Sequence, residues 1–311
     1  MADSENILVT GAGGGVGGVG RTVTTLLLAH DLPVRALVRH DDHRAQELRT
    51  LGAQVVVGDL TRPDDVAAAM DGSRRMFFSM SVSPDYLEAA TTVATVASAT
   101  GSLDAVVSIS QMTVSQMTAI STEESHQQRL HWLSEQVLNW SGLPLVHMRP
   151  TIFLDNPLFT TLAAQSIADS GTIRLPFGTG RTSPVAAKDV ARVVAAVLRN
   201  PTPHLGKVCE LTGPRSQDMN GVAAEYSRAL GKPVSYVDVP VDTWTDQVLS
   251  RAGLPPHTQE HIATMTRLHR ENRYDRFTQD IEKITGEPAQ SVEEFVAERA
   301  DLFAPRAPEQ Q

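Results

Sequence analysis

The sequence predicts an α/β fold: a doubly wound parallel sheet followed by a smaller, mostly helical C-terminal lobe. Three observations carry that prediction. Short apolar runs alternate with helix-period stretches from Asn6 to Met148, the pattern of strands joined by crossover helices in a parallel sheet. A glycine-rich run, Gly11 to Gly20, lies between the first apolar run and the first helical one, where a strand must reverse sharply into a helix. Beyond Arg149-Pro150 the rhythm breaks, and Gly171 to Pro184 is punctuated by glycine and proline.

Taken in order, strands are expected at Asn6 to Thr10, Val34 to Val38, Gln54 to Val57, Met76 to Ser79, Ala105 to Ile109 and Pro144 to Met148. Helices are expected at Gly20 to His30, Asp42 to Leu51, Pro63 to Met70, Tyr86 to Thr100 and Glu123 to Trp140. The second lobe opens with a helix from Asn156 to Ser170, and Gly171 to Pro184 reads as turns. A helix from Asp189 to Arg199 follows, with Asp189 as its N-terminal cap and Arg199 suited to its C-terminal end. Lys207 to Thr212 is expected to return as a seventh strand of the main sheet. Met219 to Phe303 reads as helical apart from a strand at Val234 to Asp238 and a turn at Gly253 to Pro256, and the tail from Ala304 is expected to fray. The boundaries that follow are 1–155 for the sheet domain and 156–311 for the lobe.

Composition supports a large folded core. The chain has 311 residues, 41% hydrophobic and 20% charged, an ordinary balance for a globular protein. Its 27 basic and 36 acidic residues give a formal charge of −9, which offers no basic field to a nucleic acid. The single cysteine, Cys209, sits in the apolar run Val208 to Leu211, so no intrachain disulfide or thiolate metal cluster can form, and it reads as a small buried hydrophobe. No metal site is expected. The acidic, polar start, Met1-Ala2-Asp3-Ser4-Glu5, is unlike a secretory signal, and no apolar run reaches membrane-spanning length. A cytoplasmic protein with no membrane partner is expected.

Glycines recur at 11, 14, 17 and 20 in steps of three, so two overlapping registers of a glycine-rich turn fit. In a dinucleotide-binding fold such glycines serve the tight reversal, backbone approach to a pyrophosphate and close helix–strand packing, while the helix offers its free N–H groups to phosphate. A helix starting near Gly14 would contain Gly17, Gly18 and Gly20, each costing about 1 kcal/mol relative to alanine. The sequence therefore predicts a lengthened loop. Gly11 and Gly14 make the reversal, Gly15 to Gly18 are the extra span, and Gly20 opens the helix. The pyrophosphate should meet the backbone between Gly14 and Gly20, making Gly11, Gly14, Gly15, Gly17 and Gly20 candidate cofactor residues of a Rossmann-type domain.

The second strand ends in Arg39, whose planar fork suits a ribose 2′-phosphate, whereas Asp41 and Asp42 read as caps of the next helix. NADP(H) is the expected cofactor and NAD(H) the second choice. Gly58-Asp59 follows the third strand and places a carboxylate where an adenine amino group would lie, although Asp59 fits an Asx turn equally. Met80 and Met112 fall at strand C-terminal ends and are candidate pocket residues, or core filler.

Together these features resemble the NmrA-like branch of the atypical short-chain dehydrogenase/reductases. The resemblance runs through Val-Arg-Ala-Leu-Val-Arg at 34–39, Gly58-Asp59, Ser141-Gly142-Leu143-Pro144 and Arg149-Pro150-Thr151-x-Phe153-x-x-Asn156. It continues in Asp189-Val190-Ala191, Leu211-Thr212-Gly213-Pro214 and Gly231-Lys232-Pro233-Val234. It implies a nicotinamide dinucleotide lying across the strand ends, where it would meet Leu60, Ser79, Met80, Pro150 and Thr151, and a small substrate lobe. The family holds both reductases and cofactor sensors.

Members of the larger superfamily carry a tyrosine and a lysine four residues apart. Aligned on Glu135, this chain has Gln127 in place of the tyrosine and His131 in place of the lysine, with no tyrosine between Tyr86 and Tyr226. Gln127 cannot give up a proton. His131 can, and it lies one helical turn away on the same face. In the quinone-reductase-like reading that the resemblance supports, His131 binds the nicotinamide ribose and relays a proton, and Ser110 hydrogen-bonds ribose or substrate. Gln111, Met112, Phe153 and Asn156 are candidate substrate residues at strand ends. His126 and His131 are five apart, on different helix faces, and do not read as a metal pair. Trp132 and Trp140 read as packing residues.

The leading expectation is an NADP(H)-dependent oxidoreductase passing hydride to a hydrophobic carbonyl or quinone, with His131, Ser110 and Gln127 at the reacting end. Two alternatives stand beside it: an NAD(P)-sensing regulator acting through a protein partner, and a redox-neutral isomerase or cyclase. A homo-oligomer is compatible with each.

Overall fold

The computed structural model describes residues 6–14 and 16–304; the tail beyond Ala304 lies outside them. The main sheet has seven parallel strands in the order β3-β2-β1-β4-β5-β6-β8. They are β1 Asn6–Val9, β2 Val34–Val38, β3 Gln54–Val57, β4 Ser73–Phe78, β5 Ala105–Ile109, β6 Leu145–Pro150 and β8 Val208–Leu211. The smaller sheet pairs β7 Thr172–Leu175 in parallel with β9 Ser235–Asp238.

Alternation along each strand decides which helices cover which face. Ile7 and Val9 of β1 and Phe77 of β4 pack with α1 (Val19–Leu28), α7 (Ala187–Arg199) and α11 (Asp280–Thr285). Leu8, Met76 and Phe78 point the other way, into α3 (Pro63–Met70), α4 (Tyr86–Thr100) and α5 (His126–Trp140). The strand order reverses between β1 and β4, and a crevice opens there beyond the strand C-terminal ends, where open α/β sheets take their ligands. This is a Rossmann-like α/β fold.

A second core gathers Phe159, Ile173, Leu175, Phe177, Tyr226 and Phe295. It lies among α6 (Ala164–Ser170), α8 (Met219–Leu230), α9 (Val241–Gln247), α10 (Pro256–Arg270) and α12 (Val292–Ala297). Strand β7 falls inside the segment read from sequence as turns. Ile173 and Leu175 are fully buried and Arg174 between them is exposed, so the period-two signal is present but confined between Gly171 and Pro176.

Helix starts differ from expectation in two instructive places. Helix α1 opens at Val19 after a left-handed Gly18 (φ +57°), so Gly20 lies inside its first turn instead of opening it. Helix α7 starts at Ala187, and its first N–H is taken by Asp155 Oδ2 at 2.8 Å. Asp189 is not the cap. It is buried, pairs with Arg192 at 2.9 Å and accepts from Gln290 N at 2.7 Å. The helix expected from Asn156 is a π turn, Leu158–Ala163, running into α6. Trp140, read as a packing residue, is 79% exposed at the end of α5.

Candidate functional site

The strand–turn–helix at β1 is locked by backbone. Thr10 donates its hydroxyl to Ser79 O and accepts from Ser79 N, both at 2.8 Å, tying the ends of β1 and β4 together. Three glycines then do three different things. Gly11 has φ +69°, and a Cβ there would stand 2.9 Å from Ser79 O. Gly20 lets α1 sit on the turn, since its Cβ would lie 2.8 Å from the backbone of Gly11 and Ala12. At Gly17 (φ +67°) an added Cβ would overlap Ala187 Cβ at 2.3 Å. Gly17 is therefore pressed against the start of α7. Gly15 lies outside the described residues.

A cleft of about 370 Å³ runs from this turn along the ends of β2, β3 and β4. Of the residues expected to hold a cofactor, it brings together Gly11, Gly14, Arg39, Asp59, Leu60, Ser79 and Met80. Gly17 and Gly20 are not on its wall. Arg39 is mostly exposed and pairs with Asp59 at 2.8 Å. Asp59 Oδ1 also accepts from the Thr61 N–H (3.0 Å) and hydroxyl (2.9 Å). The Thr61 N–H and hydroxyl, with Arg39 beside them, outweigh burial and hold the Asp59 carboxyl below the usual range. Arg44 lines the same cleft and was missed from sequence. It follows the cap Asp42, which accepts from Arg44 N at 2.9 Å while its other oxygen holds the guanidinium at 2.6 Å.

At the other end of the sheet edge the site consists of side chains. Ser110 follows β5, Thr151 follows β6, and both hydroxyls are buried without a partner. Pro150 ends β6 beside Leu211 of β8. His131 lies tilted against Tyr86 with ring centroids 4.1 Å apart, and its Nδ1 is enclosed and unpaired. Burial, reinforced by His261, pushes the His131 imidazole down to about 3, so it is neutral near pH 7 and enters as a hydrogen-bonding ring. Tyr86 is fully buried and donates to Ile109 O at 2.8 Å. It fixes the wall behind His131, and its position at the start of a helix gave no sign of this.

Helix α5 is placed by its own start. Ser125 caps it in a capping box with Gln128 and shares its hydroxyl with His261 Nδ1 of α10 at 2.8 Å. Beneath, Glu135 and Arg149 form a two-pronged ion pair that joins α5 to β6, with Glu135 2% exposed. Gln127 accepts from Ser83 N and from His257. Of the candidate substrate residues, Gln111 leaves a buried Nε2 unpaired, and Met112 is buried with Leu268 and Tyr274. Phe153 bridges to Val185. Asn156 accepts from Leu158 N at 2.9 Å, which makes it a local turn residue. Nearby, His269 is stacked between Phe177 and Tyr274 at 4.0 and 3.8 Å. Cys209 is buried. Among the described residues no cluster of three or more His, Cys, Asp or Glu is placed to hold a metal, and no helix is long and apolar enough to cross a membrane.

The NmrA-like family model matches residues 3–296. The chain belongs to the NmrA-like family. It is 30% identical over 293 residues to the NAD(P)H azoreductase of Xenophilus azovorans, covering 93% of this chain and 97% of that one. Its fold is similar to that of the NADPH-dependent quinone oxidoreductase QOR2 of Escherichia coli, solved with NADPH (TM-score 0.81, 23% identity, 94% of this chain and 99% of that one). It is also similar to NMRA, a negative transcriptional regulator solved with NADP (TM-score 0.78, 18% identity, 95% of each chain) and with NAD.

Proposed function

We propose that this NmrA-like protein is an NADP(H)-dependent oxidoreductase that passes hydride to a hydrophobic carbonyl or quinone. The observation that carries the reading is one sheet edge furnished at both ends. A glycine turn with no room for Cβ atoms at Gly11 and Gly20 stands at β1, and the buried, unpaired Ser110 Oγ, Thr151 Oγ1 and His131 Nδ1 stand at β5, β6 and α5. Buried polar atoms without partners call for a ligand that satisfies them, and a dinucleotide spans such a distance along strand ends. The 30% identical relative named as an NAD(P)H azoreductase supports the same class.

Bound there, the dinucleotide supplies a hydride from its nicotinamide ring. The chain's own residues bind and orient. The turn from Gly11 to Gly14 meets the pyrophosphate, and Arg39 with Arg44 faces the 2′-phosphate, favouring NADP(H) over NAD(H). Asp59 releases Arg39 to the phosphate or shares it. Ser110, His131 and Thr151 hydrogen-bond the ribose and carboxamide. With His131 neutral no imidazolium acid is present, which suits acceptors such as quinones that need little acid assistance. The lobe that begins at residue 156 covers the substrate, and its Tyr274 packs with Met112 of the sheet domain at the boundary.

Nicotinamide absorbance followed with a panel of quinones and aldehydes tests the reading. Turnover with NADPH, reduced in His131→Ala, is the expected result; no oxidation with any acceptor would overturn it. The absent acid and neutral His131 favour one second reading, a dinucleotide-sensing regulator. It is expected to show a protein partner whose affinity changes between NADP+ and NADPH in the absence of turnover.

A further inference from the structure

Gln127 lies in the first turn of α5 and is fully buried. Its side-chain oxygen accepts from two elements at once: Ser83 N at 3.2 Å, on the lip of the dinucleotide cleft, and His257 Nε2 at 2.7 Å, on α10. A backbone N–H can only donate, so the amide oxygen must face Ser83 and the NH2 group must face the opposite way. That NH2 is buried and has no partner. Gln111 repeats the arrangement close by, its oxygen accepting from Thr113 at 3.4 Å and its Nε2 buried and unpaired. An unpaired buried donor is unfavourable, and of the two amides that of Gln127 is the one whose orientation an obligate donor fixes.

We propose that Gln127 Nε2 is a fixed hydrogen-bond donor to an acceptor atom of the substrate, and that His257 is the residue that positions it. The inference rests on the reductase reading and adds to it the recognition chemistry. As hydride from NADPH adds to a carbonyl carbon, the C=O electron pair moves onto oxygen. That oxygen is held by the Gln127 N–H, a proton from solvent completes the hydroxyl, and NADP+ is left. A preorganised donor of this kind stabilises the developing charge without giving up its proton, which answers the lack of a tyrosine acid. Ligands that present a lone pair at this point are accepted, and those that present an amine N–H are refused. Because His257 stands on α10, the donor is aimed only when the second core is seated against α5.

Gln127→Glu is the deciding variant. Ionised, as the test at pH 9 requires, it keeps an oxygen that accepts from Ser83 and His257 and turns the donor NH2 into an acceptor. With NADP+ present, so that nothing turns over, 1,4-naphthoquinone binding is read by tryptophan fluorescence. We expect at least about tenfold weaker quinone binding with NADP+ affinity close to wild type, a Tm lowered by the buried charge, and about 100-fold lower kcat with NADPH. A second pair isolates positioning: His257→Leu is expected to lower kcat about tenfold at unchanged KM for NADPH, and His257→Gln, which restores a donor at the Nε2 position, to recover most of it. The proposal is overturned if the wild-type complex does not bind naphthoquinone, if Gln127→Glu binds it as tightly as wild type, or if the Leu and Gln variants at 257 behave alike. A wild-type protein that binds the quinone in this donor-dependent way yet oxidises no NADPH would sink the reductase reading and leave the donor assignment standing.

Discussion

At the β1 end of the sheet the candidate site is backbone: glycines whose missing Cβ atoms let Ser79, Gly11 and Ala187 approach. At the β5–β6 end it is side chains from three places, with Ser110 and Thr151 on strand ends, Gln127 and His131 on α5, and His257 on α10. The first end depends on what is absent from a short stretch of chain. The second depends on buried polar groups being held in one arrangement by distant elements. The two ends should therefore fail differently under mutation and under acid, one through steric displacement and the other through burial of charge.

Acid gives the largest expected contrast. Burial pushes His131 and His269 down to about 3 and His261 to about 4, and none of the three lies near the glycine turn. Their folded values lie below the unfolded value near 6.5, so on acidification the unfolded chain takes up protons first. Stability from these groups is complete above about pH 6.5 and is lost toward pH 4, by about 1.4 kcal/mol per pH unit for each histidine. Urea unfolding across that window should show the slope, and His269→Phe should flatten it by about one proton; an unchanged slope would break the comparison.

Next in size is the ion pair under the reacting end. Glu135→Ala leaves Arg149 half-buried without its partner and should destabilise by about 3–5 kcal/mol in urea titration. The turn should respond by displacement instead. Gly20→Ala drives a Cβ into the Gly11 backbone and should cost about 1–3 kcal/mol together with dinucleotide affinity, and comparing NADPH titrations with unfolding curves separates the two losses. Smallest is Arg39→Ala, which should weaken NADPH binding about tenfold and leave NADH nearly unchanged. Equal losses for the two cofactors would remove the 2′-phosphate role.

The same contrast explains what was legible in the sequence. The strands of the main sheet and the helices between them were readable because each apolar run is local and each crossover has its own period. Strand β7 was hidden because its two buried residues, Ile173 and Leu175, sit between a glycine and a proline that speak for a turn. The glycine turn was legible as a lengthened loop, but the room that Gly17's missing Cβ makes for α7 was not. Propensity priced its glycines as helix residues and had no term for a neighbour arriving from Ala187. Gln127 and His131 could be found by position on one helix face. Ser83 and His257, which turn the amide of Gln127, are 44 and 130 residues away from it in sequence, and no spacing pattern reaches that far.

The contact at Gly17 has one more consequence. Asp155, whose Cβ and Cγ stand 3.1 and 3.2 Å from a Cβ placed at Gly17, is the same residue that receives the first N–H of α7, and it lies where the chain leaves the main sheet for the second core. The glycine turn and the joint between the two cores thus share one residue. By thermodynamic reciprocity, a dinucleotide that favoured one setting of this joint would be favoured in turn by any substrate that selected it.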